Sequence, residues 1–183
     1  AVMIDFCSAL QKGAAGEARS AAEGALFVKA LSQMGDWYSH PETIVVKLTR
    51  MPDRYPEGYE FPAGTVPNTA DYGGRGWCFE EASVAGLVKS SGKVLDLGQY
   101  STSATSLLEL KSQCKAGRSP PLTPDEFNLR LETKSFTSRN ADLEQVKQLY
   151  LHAYQTRLGS ATELWLRELG WGDAECELLC AVI

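Results

Sequence analysis

The chain predicts an α/β protein, an open and mostly parallel sheet with flanking helices, followed by a small helical appendage. Three observations carry this. Short apolar runs stand at AVMIDF (1–6), TIVVKL (43–48) and Val94 to Leu97. Stretches with helical spacing of apolar residues separate them. No tight hairpin signal joins any two of the runs, so successive strands are expected to run parallel through right-handed crossovers.

AVMIDF suits a buried parallel strand that leaves Asp5 at its carboxyl end, and SALQKGAAG then forms a loop. From about Glu17 to Tyr38 a helix is expected, because Phe27, Leu31, Met34 and Tyr38 fall on one face. His40-Pro41 stops it, since the residue before proline is biased away from α geometry. TIVVKL is continuous and β-branched, the pattern of a second buried strand.

Residues 51–74 form a long insertion with Pro52, Pro56, Pro62 and Pro67 and four aromatics. Loops of this length commonly act as lids or contact surfaces. Tyr55, Tyr59 and Phe61 are its candidate interaction residues. A helix is expected from about Arg75 to Ser90, and Gly92 turns the chain into the strand at 94–97.

SLLELKSQC reads as a short helix, and AGRSPPLTP is the best boundary, dividing residues 1–116 from a helical extension, 117–183. Thr123, Pro124 and Glu126 mark a helix start with a capping box. Asn140 to Leu158 is a further helix, with Leu143, Val146, Tyr150 and Ala153 on one stripe. The tail reads as a short strand, a glycine turn, and a helix capped by Asp173 whose buried face is Cys176, Leu179, Cys180 and Ile183.

Composition narrows the function classes. With 44% hydrophobic and 22% charged residues, the 183-residue chain has an ordinary globular make-up. A net charge of −5 disfavours a nucleic-acid partner, which needs clustered Lys and Arg; the basic stretches 111–118 and 134–139 read as solvated faces. No apolar run reaches the roughly 20 residues of a transmembrane helix. AVMIDFC is too short and acidic for a signal peptide, and the absence of an initiator Met suggests a processed or truncated chain. Five cysteines, an odd number without C-x-x-C, point to a reducing intracellular compartment, the cytoplasm ahead of an organelle.

The stretch YGGRGWCFEEAS, 72–83, concentrates the candidate chemistry. Cys78 sits at a helix start beside Arg75, where a thiol pKa can fall, but neither His40 nor His152 stands in a pairing signature. Packing is its expected role. Cys176 and Cys180 lack further metal ligands at sensible spacing, and SSGKV precedes a strand rather than a helix, so it is no phosphate loop. No metal or cofactor is expected. Asp5, Glu17, Glu23, Glu80 and Glu81 are the carboxylates that strand ends could gather, most of them read as solvated helix glutamates. Gly73, Gly74 and Gly76 with Arg75 form either an anion site at a helix N-terminus or a tight turn that lets Trp77 pack onto the sheet.

Strand-MIDF, glycine loop, helix, TIVVKL and then WCFEE resemble a TIR domain, in which Trp-Cys-Leu-x-Glu opens a helix. Trp77, Cys78, Phe79 and Glu81 fill those places. The chain is also similar to uncharacterised proteins of single-celled eukaryotes with a D-x-C-S strand end (Asp5, Cys7, Ser8), an R-x-x-x-E-x-x-x-F helix (Arg19, Glu23, Phe27) and Y-x-x-R-G-W (Tyr72, Arg75, Gly76, Trp77). The resemblance spans residues 1–100 and implies a flavodoxin-like sheet lacking the usual first strand; the proline-rich insertion is not a TIR feature. The tail resembles one strand-turn-helix unit of a leucine-rich repeat, which cannot bury its face alone.

Two functions follow from the resemblance. The first is a protein-interaction or scaffold module, homo-oligomeric or an accessory subunit of a larger assembly, its exposed sheet edge covered by another chain. The alternative is hydrolysis of the N-glycosidic bond of NAD or a related nucleotide. Glu23 would then be the catalytic carboxylate, with Glu17 its substitute, and Asp5, Tyr72, Gly74 and Arg75 would bind ligand.

Overall fold

The structure, a computed structural model, describes residues 17–50, 57–60, 69–101, 103–115, 118–137 and 139–183. The expected first strand at 1–6, with Asp5 and Cys7, lies outside the described residues. So do Tyr55 and Phe61 of the insertion.

Helices and a parallel sheet are both present, and helices dominate. Helix α1 (Ala21–Ser39) is followed by strand β1 (Val45–Lys47), α2 (Gly76–Ala85) and β2 (Val94–Asp96). Four more helices complete the described chain: α3 (Leu107–Cys114), α4 (Pro124–Leu131), α5 (Arg139–Ala153) and α6 (Asp173–Cys180). β1 and β2 pair in parallel, with Val45 opposite Val94 and Lys47 opposite Asp96. The crossover that parallel pairing requires is supplied by α2 and its loops.

Helix ends follow local chemistry. Ser20 caps α1, its hydroxyl accepting from the Glu23 amide at 3.3 Å while the Glu23 carboxylate accepts from the Ser20 amide at 2.8 Å. His40 closes that helix ahead of Pro41 by donating its amide to Asp36. Thr123 caps α4 through the Glu126 amide, but the Glu126 carboxylate turns instead to Arg130 at 2.6 Å, so only half of the expected box forms. The ion pair with Arg130, one turn along, competes for that carboxylate. After Ala153 the chain widens into a π-helical turn, Tyr154–Leu158. It carries Arg157 to Asp36 at 3.1 Å and to the Ser39 hydroxyl at 3.1 Å, tying the end of α5 to the end of α1.

One hydrophobic cluster unites the elements. Val84 and Leu87 pack with Leu122, Phe127, Leu131, Val146, Tyr150 and Ala153, so residues on both sides of the expected boundary at 116 share a core. Phe127 stacks on Tyr150 with ring centres 3.7 Å apart, and Phe79 stacks on its other side at 5.1 Å. The Tyr150 hydroxyl donates to the Leu122 carbonyl at 2.7 Å and accepts from the Leu122 amide at 3.1 Å, which satisfies it without water. Burial pushes that phenol's pKa up, against the backbone hydrogen bond. A smaller cluster, Val45, Ala85 and Val94, seats the sheet on α2.

The tail departs from expectation. Residues 163–169 form turns and irregular chain, not a strand. The Trp165 carbonyl that a sheet would have used accepts instead from Arg118 at 2.9 Å. The residue capping α6 is Gly172, whose amide donates to Glu175 at 2.9 Å; Asp173 is the first helical residue. Leu178 provides the packing of α6 on the core. Cys176 and Cys180 are exposed and Ile183 is 79% exposed, so the expected buried face is turned outward and Leu179 is half-buried.

Candidate functional site

The glycine-rich stretch forms a tight structural joint. Asp71 accepts from the Gly74 amide at 2.5 Å, closing the 3₁₀ turn Tyr72–Gly74. The Gly76 amide donates to the Ser135 carbonyl at 2.9 Å, and the Ser135 amide donates back to Gly74 at 2.8 Å. Arg75 gives its amide to Tyr72 and its Nε to the Ala70 carbonyl at 2.9 Å. The amides that an anion would need at Gly74, Arg75 and Gly76 therefore have protein partners. Of the two roles open to this cluster, the geometry matches the tight turn, but Trp77 packs against the core of helices and not onto the sheet.

Gly76 has a specific steric reason. The Cζ end of the Phe136 ring lies against Gly76, and a β-carbon there would overlap it. Gly76→Ala is expected to lower stability by about 1–3 kcal/mol as Phe136 is displaced. Chemical denaturation of G76A checks this, and in a Phe136→Ala background the cost of the same substitution is expected to shrink.

Other expected site residues are dispersed. Glu23 is exposed and holds the N-terminal cap of α1; the Ser20 amide, then its hydroxyl, keep the carboxyl below the usual range, with Arg19 adding a smaller effect. Glu17 lies exposed just before that helix. Glu80 and Glu81, read as solvated, are buried. Glu80 faces inward because Gly35 of α1 crosses over it, a β-carbon there coming 3.9 Å from its Oε1. Cys78 is half-buried, and Tyr59 is a half-exposed surface residue.

The carboxyl end of the sheet, where open α/β sheets hold ligands, is internally bonded. Asp96 is buried, and its Oδ1 accepts from the Thr49 hydroxyl at 2.5 Å and the Gly98 amide at 2.9 Å. Burial lowers the pKa of Lys47 beside it, and Asp96 partly opposes that shift.

Two buried cations hold the ends of the sheet connections. Lys89 is fully buried; its amine donates to the His40 carbonyl and, at 2.8 Å, to the Thr43 hydroxyl, fixing the α1–β1 turn. Burial drives its pKa down to about 7, Lys93 and Arg157 add repulsion, and Glu42 opposes them. Arg118 donates Nη1 to the Lys89 carbonyl and Nη2 to Trp165, and Trp171 donates its indole N–H to the Arg118 carbonyl at 2.8 Å. Burial lowers the guanidinium pKa to about 10. Both side chains staple backbone segments.

What remains open is a surface. From Glu42 to Arg50, exposure alternates residue by residue: Glu42, Ile44, Val46, Leu48 and Arg50 face solvent while Thr43, Val45, Lys47 and Thr49 turn inward. Ile44 is 50%, Val46 50% and Leu48 68% exposed. β1 is thus half-buried, not the two-sided core strand that TIVVKL suggested. Its register partner Leu95 is buried on β2, beside α3, so the open area lies over β1. Among the described residues β1 has no strand on its outer side. In comparisons with protein-family models, curated proteins and solved structures, nothing matches the chain. No helix of the described residues is long and apolar enough to cross a membrane.

Proposed function

We propose that the chain is a protein-interaction module, a scaffold element or accessory subunit of a larger assembly, with a TIR-like, flavodoxin-like plan in its first hundred residues. One observation carries the reading: an edge strand that presents Ile44, Val46 and Leu48 to solvent. Exposed edges with apolar side chains are sites of pairing unless something blunts or covers them. No charged residue stands among the three on that face. The half-exposed Tyr59 of the insertion adds aromatic surface of the kind that contacts favour.

Fractionation of a native extract by size tests the proposal. After chemical crosslinking in the extract the protein is expected in a species heavier than its own denatured mass; recovery at that mass alone overturns it. The nucleotide-hydrolase alternative gains nothing from Glu23, committed to the α1 cap, or from amides already bonded at Gly74 and Gly76. Incubation with NAD is expected to release no nicotinamide beyond that seen with Glu23→Ala. Release that disappears in the variant would reinstate it.

A further inference from the structure

We infer that the partner for the β1 edge is a second copy of this chain, paired antiparallel about a two-fold axis at Val46; this rests on the interaction-module reading and names its occupant. Apart from Val45, which falls opposite the long stem of Lys47 on the inward face, the sequence Glu42-Thr43-Ile44-Val45-Val46-Lys47-Leu48-Thr49-Arg50 is self-complementary when reversed. With Val46 opposite Val46, Ile44 meets Leu48, Thr43 meets Thr49 and Glu42 meets Arg50. A two-fold interface needs this property, because each contact occurs twice with the roles exchanged.

The faces agree with the register. In an antiparallel pair, opposite residues project to the same side of the sheet. Ile44, Val46 and Leu48 are the exposed apolar members of the alternation, so pairing joins two apolar stripes into one, and Glu42, in the turn that enters β1, brings an acid to the end of the stripe where Arg50 of the other copy lies. Thr43, Val45 and Thr49 keep their inward contacts: Thr43 donates to the Trp37 carbonyl at 2.7 Å, Val45 packs with Ala85 and Val94, and Thr49 donates to Asp96. None of these contacts has to come apart.

Charge also selects the register. Glu42 reaches Lys93 through Oε2 alone, which leaves Oε1 for a second cation. The Arg50 guanidinium has no ion pair among the described residues. Sliding the strands by two residues sets Glu42 or Arg50 against an apolar side chain. A slip of one turns the core face of one copy toward the solvent face of the other. A single short edge buries less than the roughly 1,200 Å² of a permanent interface. The pairing is accordingly reversible and concentration-dependent.

Sedimentation equilibrium of the purified full chain, carried into the millimolar range, reads the association. The wild type is expected to pass from 20.0 kDa to twice that mass. Glu42→Arg alone and Arg50→Glu alone each replace two attractive contacts with two repulsive ones and are expected to weaken association by about tenfold or more. An equimolar mixture of these two variants is expected to recover it, because every end contact then joins opposite charges. Val46→Lys, placing two ammonium groups at the axis, is expected to stay monomeric; if it fails to fold, the charge-reversal mixture decides.

A wild type that remains at 20.0 kDa throughout, or a mixture no tighter than either variant alone, overturns the pairing. If the pure chain stays monomeric while the native extract holds it in a heavier particle, self-pairing falls and the interaction-module reading stands. Monomer mass in both overturns both.

Discussion

Phe127→Ala is expected to cost about 3–5 kcal/mol and to melt the chain from end to end in a single transition. The ring is fully buried, and the loss goes beyond its own area because it lies stacked between Phe79 and Tyr150. Phe79 belongs to α2 and Tyr150 to α5, so the cavity would open at the seam between the two halves of the sequence. Folded domains commonly have only about 5–15 kcal/mol of stability, so the variant would stand near its unfolding threshold. Urea denaturation followed by tryptophan fluorescence and by helical circular dichroism checks this. Coincident curves at lower urea are the expected result. A sheet half that survives its own separate transition would contradict the shared core.

The second large effect is a rise in stability with pH, caused by Lys89. An ordinary lysine stays protonated to about 10.5, whereas this amine loses its proton near 7 in the folded chain. Between those values the unfolded state binds more protons than the folded one, so raising the pH favours folding. The penalty for burying the charged form is fully present below pH 7 and fades as pH approaches 10.5. From pH 7 to 9 the gain is roughly 2 kcal/mol. That window also lies below the lowered pKa of Arg118. Melting curves at several pH values should show the slope in the wild type and a clearly smaller one in Lys89→Met, where only lesser groups such as Lys47 contribute. Equal slopes in the two proteins would remove Lys89 as the cause.

Much of the local structure was legible because its causes are local. The α1 stripe of Phe27, Leu31, Met34 and Tyr38, its stop at His40-Pro41, and the start of α4 at Thr123-Pro124 all follow from neighbours within one or two turns. Lengths were overread where such signals were soft: α2 ends at Ala85, before Gly86, and β1 and β2 have three residues each. What escaped depends on distant chain. Glu80 resembles any helical glutamate until Gly35 is laid across it. Gly76 could be read either as part of an anion site or as part of a tight turn, because Phe136, sixty residues further on, is invisible to a local reading.

The candidate surface shows the same division. Ile44-Val45-Val46 reads as a strand buried on both faces, since consecutive β-branched residues carry no marker for a missing neighbour. The reversal symmetry from Glu42 to Arg50 was present in the letters. It acquired meaning only once the alternating exposure showed which members face outward.

The shared core has a consequence for the chain as it leaves the ribosome. Val84 and Leu87 complete their surroundings with Val146, Tyr150 and Ala153, side chains made some sixty residues later. Synthesis proceeds at about 5–20 residues per second, and contacts so far apart in sequence form late. The first half of the molecule therefore spends several seconds as a nascent segment in which Val84 and Leu87 lack their later neighbours, while the Ile44–Val46–Leu48 stripe, exposed in the finished protomer as well, stands open. During those seconds neighbouring nascent chains on one messenger are each other's nearest copies.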